Sequence, residues 1–305
     1  MRVAGIDCGT NSIRLLVADI AGDRLDDLVR RLEIVRLGQG VDRTGRLAPE
    51  AIERTRRALA GYAGQIRELG AERVRMVATS ATRDAANRAD FRAMVLDTLG
   101  AEPEVITGAQ EAALSFTGAV HDLVGAGAAE PPYLVVDIGG GSTELVLGSS
   151  TVDASTSVDV GCVRLTERHL ADDPPTAAQI KAAEADVLAA LETARAAVPL
   201  DRARTFVGLA GSVTTVAGIA LDLPAYDSAR IHHSRIPADQ IRAVTARLLG
   251  MTRAERAALP VMHPGRVDVI GAGALVLRVL VEELAVPEVV VSEHDILDGI
   301  AWSLV

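Results

Sequence analysis

The sequence predicts an α/β protein made of two duplicated lobes, and three observations carry this. The chain is 305 residues long, more than one hydrophobic core usually organises, so two domains are expected. Short apolar runs of strand character alternate with longer segments of helical periodicity. An opening pattern also returns: Asp7-Cys8-Gly9-Thr10-Asn11-Ser12 is matched 130 residues later by Asp137-Ile138-Gly139-Gly140-Gly141-Ser142. Each copy has an apolar strand reaching an Asp, Gly two residues on, Ser five on, then a second strand. Repetition at domain-sized spacing indicates duplicated lobes rather than a short-period solenoid. A cleft between such lobes would turn both glycine turns toward one ligand.

In chain order, residues 3–7 and 13–19 read as strands around the first turn, and 30–37 as a third strand. Residues 48–69 have helical periodicity, with Gly70 as the stop. A strand at 74–79 precedes a helix at 84–99. A short strand at 104–106 leads into a helix at 108–121. The Gly, Ala and Pro of 125–132 mark a linker. The opening then repeats: strand 133–136, turn, strand 143–147, and a further strand at 155–161. Thr176 and Gln179 have the spacing of a capping box, which starts a helix through 198. A strand at 204–209 runs into Ala210-Gly211-Ser212 and a helix from 213. Helical patterns follow at 237–250, 252–259 and 266–284, then a strand at 289–291 and a helix at 295–305. The expected domains are 1–124 with 295–305, and 125–294.

Composition narrows the function. Net charge is −10, which repels nucleic acid and anionic membranes, and the scarcity of aromatics removes stacking platforms for single strands. A polyanionic substrate then needs local neutralisation by Arg, backbone N–H groups and a divalent cation. Lys181 is the sole lysine, so no glycine loop carries a Walker lysine and a P-loop NTPase is excluded. Cys8 and Cys162 form no CxxC, the usage of a reducing compartment. The histidines show no zinc spacing. Charges interrupt the apolar stretches at both ends, so neither a signal peptide nor a membrane span is expected, and the protein is placed in the cytoplasm.

A strand-to-strand turn of Gly and small hydroxyl residues points several N–H groups at one anion, and without Cβ atoms the backbone approaches phosphate oxygens closely. Asp7 and Asp137, at the strand ends, repel phosphate but suit a Mg²⁺ that bridges to it. The third loop, Gly208 to Thr215, joins a strand to a helix. Read on its residues alone, it is as consistent with an ordinary α/β joint as with a second anion site. Cys162 reads as a packed thiol rather than a nucleophile.

At these loops the sequence resembles the exopolyphosphatase/guanosine pentaphosphate phosphatase family of the actin/hexokinase/heat-shock ATPase superfamily. The residues carrying this are GIDCGTNSIRLLV (5–17), TSATRDAAN (79–87), ITGAQEA (106–112), VVDIGGGSTEL (135–145), DVGCVRLTE (159–167), GLAGSVTT (208–215) and RVDVIGAGALVL (266–277). The resemblance implies two RNase H-like (actin-like) lobes with an interlobe cleft. It implies hydrolysis of a terminal phosphate from inorganic polyphosphate or guanosine pentaphosphate with Mg²⁺ or Mn²⁺, and a homodimer. By position Glu111 would be the general base, and Arg83 would contact phosphate. Asp137 and Glu144 would organise metal with Asp7. Gly9, Thr10, Asn11, Ser12, Gly139, Gly140, Gly141 and Ser142 would hold phosphate, with Gly211 and Ser212 as further candidates. Without the resemblance, Glu111 is a carboxylate favoured by its helix N-terminus, Arg83 a solvated neighbour of Asp84, and Glu144 a surface residue.

Two departures accompany the resemblance. Longer family members carry C-terminal helical domains that this chain lacks, from which a preference for short chains is expected. The family's Arg-Glu-Gly near the end reads Leu297-Asp298-Gly299. Polyphosphate is favoured over guanosine pentaphosphate for want of an obvious stacking aromatic. The competing classes are a sugar-kinase-like phosphotransferase on the same fold and a sensor that binds guanosine tetra- or pentaphosphate without hydrolysis.

Overall fold

A computed structural model describes residues 1–126 and 129–305. The chain divides into two units, 1–118 with 296–305, and 119–295. Residues 127 and 128, in the middle of the expected linker, lie outside the described residues.

The first unit is built on a five-stranded sheet in the order β3-β2-β1-β4-β5. β1 (Arg2–Cys8) and β2 (Ser12–Ala21) form an antiparallel hairpin, β3 (Arg24–Ile34) extends it, and β4 (Arg73–Ala78) and β5 (Glu104–Val105) add in parallel to β1. β1 is central and buried along almost its whole length, so it reads as a continuous apolar run. β3 is the edge and mostly exposed. Its charged residues blunt an edge that would otherwise invite pairing, and they also hide it from apolar periodicity. The strand expected at 30–37 therefore begins earlier and ends at Ile34.

The helix Pro49–Leu69 starts with Pro at its first turn and ends at Gly70, whose φ of 68° is the left-handed stop a glycine supplies. It buries Leu59, Tyr62 and Ile66 against the sheet, and the Tyr62 hydroxyl donates to the Ile13 carbonyl at 3.1 Å. The chain's last helix, Ile296–Trp302, returns to this unit and packs Leu297 and Ala301 on Val3, Leu16 and Ala18. Ile296 and Ile300 pack on Val77 and Ile106. Each such fully buried aliphatic side chain contributes roughly 1.5–3 kcal/mol. Gly299 is required here, because a Cβ would collide with the Leu114 backbone.

The second unit repeats the plan: β10-β11-β9-β6-β7-β8. β6 (Tyr133–Ile138) and β7 (Thr143–Gly148) form the hairpin, β8 (Val152–Val158) extends it, and β9 (Thr205–Leu209) lies parallel to β6. β11 (Glu288–Val291) and the short β10 (Arg235–Pro237) complete it. Apart from the terminal additions, hairpin, third strand and parallel neighbour follow in the same order in both units. The core of this unit gathers helices Ala177–Ala197, Ala210–Ala220, Ala238–Gly250 and Ile270–Glu283. The Thr176–Gln179 capping box is formed. The strand expected at 155–161 ends at Val158, and a short helix, Cys162–His169, follows it. Among the described residues, no helix is long and apolar enough to cross a membrane.

Candidate active site

The two glycine turns have the same construction. Gly9 N–H donates to the Ser12 carbonyl at 2.9 Å, and Gly139 N–H donates to the Ser142 carbonyl at 3.0 Å. Each closes a hairpin whose strands pair Cys8 with Ile13 and Ile138 with Thr143.

What surrounds each turn fixes the direction of its peptides. In the first, the Thr10 carbonyl accepts from Gly38 N–H at 2.8 Å, and the Asn11 carbonyl accepts from Val35 and Arg36 N–H at 3.1 and 2.8 Å. In the second, the Gly139 carbonyl accepts from Cys162 N–H at 2.9 Å, and the Gly140 carbonyl from Val163 and Arg164 N–H at 2.9 and 3.1 Å. The Arg164 Nε donates to the Gly141 carbonyl at 2.7 Å. In a trans peptide, C=O and the following N–H point in opposite directions. With the carbonyls drawn one way, the N–H groups of Asn11 and Ser12, and of Gly140, Gly141 and Ser142, aim the other way. That is the geometry of an anion-binding nest. Gly161 permits it in the second unit, because a Cβ there would strike the Gly140–Gly141 backbone. In the first unit a Cβ at Gly38 would strike the Thr10 side chain instead.

The acidic residues beside the turns are buried: Asp7 is 5% exposed, Asp137 8% and Glu144 1%. Their partners differ. Asp7 lies opposite Arg14 on the neighbouring strand and receives hydrogen bonds from its Nε and Nη2 at 3.0 and 2.7 Å. Asp137 lies opposite Glu144, whose carboxylate also accepts from the Ser157 hydroxyl at 2.7 Å. Like charges directly opposite one another in a sheet repel, and a cation at that point removes the repulsion.

Magnesium is held by one or two protein carboxylates, with water and substrate phosphate completing the octahedron. The Asp137–Glu144 pair fits that donor set. Asp7 is ion-paired with Arg14 at 2.7 Å. Among the described residues, no group of three or more His, Cys, Asp or Glu side chains could hold a metal ion.

The TSATRDAAN and ITGAQEA segments meet in the first unit. Thr79 N–H donates to the Cys8 carbonyl at 3.2 Å, which ties the start of the helix Ser80–Asp84 to the first turn. Arg83, on that helix, donates from Nη1 to the Ile106 carbonyl at 3.0 Å and to Glu111 Oε2 at 3.1 Å. Glu111 is 8% exposed in the first turn of the helix Gly108–Ala126. Thr107 and Gln110 cap that helix reciprocally, so the carboxylate sits on a fixed scaffold. The hydroxyl oxygens of Ser80 and Thr82 are buried with no hydrogen-bond partner among the described residues.

The third loop has a distinct arrangement. β9 passes directly into the helix Ala210–Ala220, with Ala210 at φ 67°. Arg266 lies against Gly211, where a Cβ would collide with its guanidinium, and donates to the Gly211 carbonyl at 3.2 Å and the Thr215 hydroxyl at 3.3 Å. Ser212 is buried beneath Gly273. Tyr226, 42% exposed, bridges Thr214 Oγ1 at 2.9 Å and Glu293 Oε1 at 2.6 Å. Burial pushes the Glu293 carboxyl and the Tyr226 phenol above their ordinary values. It does the same to the Cys8 and Cys162 thiols, as expected of packed cysteines rather than nucleophiles.

Arg14, Ser157, Arg164, Arg266 and Tyr226 were not singled out by the sequence reading. Arg14 was within its reach: it follows Asp7 by seven residues, as Glu144 follows Asp137, and hairpin register puts both at the same position. Ser157 likewise faces Glu144 in the register of β7 and β8, whereas the contacts of Arg164, Arg266 and Tyr226 join segments with no common pattern.

The profile of the Ppx/GppA phosphatase family matches residues 16–305. Exopolyphosphatase 2 of Mycobacterium tuberculosis is 58% identical over 316 aligned positions, covering 99% of this chain and 98% of that one. Among solved structures, an exopolyphosphatase-like protein has a TM-score of 0.96 at 44% identity, over 100% of this chain and 98% of that one. The PPX-GPPA enzyme of Aquifex aeolicus has a TM-score of 0.83 at 33% identity, over 99% of both chains.

Proposed function

The chain belongs to the Ppx/GppA phosphatase family, and on that premise we propose that it is an exopolyphosphatase, releasing terminal orthophosphate from inorganic polyphosphate by attack of water. The observation that carries this reading is the buried Asp137–Glu144 pair beside a turn whose carbonyls are drawn aside by other N–H groups, which frees its own N–H groups for an anion. Such a carboxylate pair would suit a divalent cation and such a turn an oxyanion, the two aids that phosphoanhydride hydrolysis uses.

In this mechanism the turn N–H groups of Gly140, Gly141 and Ser142 hold the non-bridging oxygens of the terminal phosphate. Magnesium, or manganese, when held by Asp137 and Glu144, supplies positive charge against the charge that builds on those oxygens. Arg83 orients the Glu111 carboxylate by its contact to Oε2. In the reaction a carboxylate takes a proton from water as the water oxygen bonds to the terminal phosphorus and the bridging P–O bond breaks toward the shortened chain; Glu111, buried beside Arg83 in the first unit, is the proposed base. The first turn, with Thr10, Asn11 and Ser12, offers the same kind of N–H cradle in its own lobe. A homodimer located in the cytoplasm belongs to the same reading.

One observation favours guanosine pentaphosphate as an alternative substrate. Tyr226 presents an exposed ring anchored to Thr214 of the third loop, which is the stacking aromatic that the composition does not advertise. The deciding experiment incubates the protein and Mg²⁺ with polyphosphate, guanosine pentaphosphate or ATP plus sugar acceptors, and measures orthophosphate. Release from polyphosphate with the highest kcat/KM is expected. Phosphate transfer to an acceptor, or tight binding of any of these without turnover, would refute the proposal.

A further inference from the structure

Two chain segments leave the first-lobe turn, and each carries arginine to the surface. Segment 36–47 starts at the turn itself, where Gly38 N–H meets the Thr10 carbonyl at 2.8 Å and Arg36 N–H meets the Asn11 carbonyl at 2.8 Å. Segment 83–88 starts at Arg83. The two then run side by side. Ala86 N–H donates to the Gly45 carbonyl at 2.9 Å, and Asn87 grips Leu47 through both its carbonyl and its N–H at 3.1 and 2.8 Å. Arg88 reaches back toward the Arg83 carbonyl at 3.5 Å. Arg43, Arg46 and Arg88 are all exposed, and Arg43 and Arg46 enter no ion pair among the described residues.

The local charge runs against the rest of the molecule. These two segments hold five arginines and two aspartates in a chain whose net charge is −10. The nearby Asp90 accepts from Asn87 at 3.3 Å. Several exposed arginines elsewhere on this lobe sit beside carboxylates, as Arg24 does with Asp26 and Arg56 with Glu53. An acidic protein gains nothing in solubility from a patch of unmatched arginine, whereas a flexible polyanion gains counterion release at each contact.

We propose that Arg43, Arg46 and Arg88 form an extension subsite for inorganic polyphosphate, holding phosphates further along a chain than the one cleaved. This rests on the polyphosphate reading above. Guanidinium groups suit the role, because each pairs with phosphate oxygens in a fixed planar fork. Affinity then rises with chain length until the three arginines are covered, and levels off beyond that.

The test compares wild-type protein with the triple variant R43A/R46A/R88A, and with a charge-matched control, R67A/R202A/R247A, whose arginines are also exposed. Binding of long polyphosphate is measured in EDTA, where no turnover is needed. The subsite variant should bind about tenfold more weakly. Its log–log salt slope should be shallower by about 2, at about 0.7 for each lost contact on a single-stranded polyanion. Under turnover, the ratio of KM for long polyphosphate to KM for tripolyphosphate should rise by a similar factor. The triple lysine variant should recover most of the affinity. Binding by the subsite variant within twofold of wild type, an equal loss in the control, or equal displacement by single-stranded DNA of matching charge would overturn the proposal. If wild type releases no orthophosphate from any polyphosphate, the functional reading fails, while the EDTA binding result still judges the arginine surface.

Discussion

Asp7 receives two hydrogen bonds from Arg14 across the first hairpin, at 2.7 and 3.0 Å. The duplicated position holds Asp137 against Glu144 instead. One lobe thus carries an internal ion pair where its copy carries two carboxylates. The duplicated scaffold keeps its turn and its first acid and differs in the residue that faces it.

Removing the guanidinium with Arg14→Met leaves a buried carboxylate without its cation. The loss should be about 1–3 kcal/mol, discounted from the cost of breaking a fully buried pair because Arg14 is partly exposed. Urea midpoints measure it. The double variant D7N/R14M should recover much of the loss, giving a coupling energy above about 0.5 kcal/mol. Strict additivity would mean that the pair is incidental.

At the duplicate position, Glu144→Gln relieves the like-charge contact and weakens the cation site. Wild-type protein should gain thermal stability when Mg²⁺ is added with a phosphate product, by mass action on the folded state. The variant should gain little or none. Equal shifts in both proteins, followed by scanning calorimetry, would move the ion elsewhere.

Glu111→Gln keeps the shape and the contact to Arg83 but cannot accept the proton from water. Turnover should fall by roughly 10²–10⁴-fold, with KM changed only a few-fold. Steady-state kinetics on polyphosphate decide this. A variant that turns over at near wild-type rate removes Glu111 from the chemistry.

Tyr226→Ala separates the two substrates. If the ring stacks on a nucleobase, kcat/KM for guanosine pentaphosphate should drop about 5- to 100-fold, from roughly 1–3 kcal/mol of stacking, while that for polyphosphate is nearly unchanged. Parallel losses on both substrates would point to a role in holding the third loop.

Burial acts to raise the Asp186 carboxyl, but hydrogen bonds from His169 at 2.9 Å and Arg168 at 3.2 Å prevail and hold it below its ordinary value. A carboxyl lowered by folding stabilises the native state above its unfolded value and loses that contribution as pH falls through the folded one. Asp186→Asn should therefore be less stable than wild type at neutral pH, by about 0.5 kcal/mol for so exposed a group. The difference should shrink as pH falls through the titration of the folded carboxyl. Urea midpoints at pH 7, 5 and 3 test the trend; a gap that widens in acid contradicts it.

Much of the fold was legible because its signals are local. The apolar runs of β1 and β6, the Gly70 stop and the Thr176 capping box each depend on neighbours a few residues away. β3 was displaced in the reading because an edge strand bearing Arg24, Asp26, Asp27, Arg30 and Arg31 has no apolar face to announce it. The helix Cys162–His169 was missed because it follows so closely on β8. Its own N–H groups are what turn the Gly139 and Gly140 carbonyls aside.

The amino-acid sequence by itself determined that two glycine turns exist, that each begins with an acid, and that the residue seven places on lies opposite that acid. Hairpin register follows from chain spacing alone. Only the tertiary structure decided that Arg83 meets Glu111, that Arg164 and Arg266 seat on glycine backbones, and that segments 36–47 and 83–88 lie together. Such contacts join residues far apart in the chain. They form because buried strands and helices bring those segments together while their backbone polar groups still demand partners, and no local pattern encodes which segments will meet.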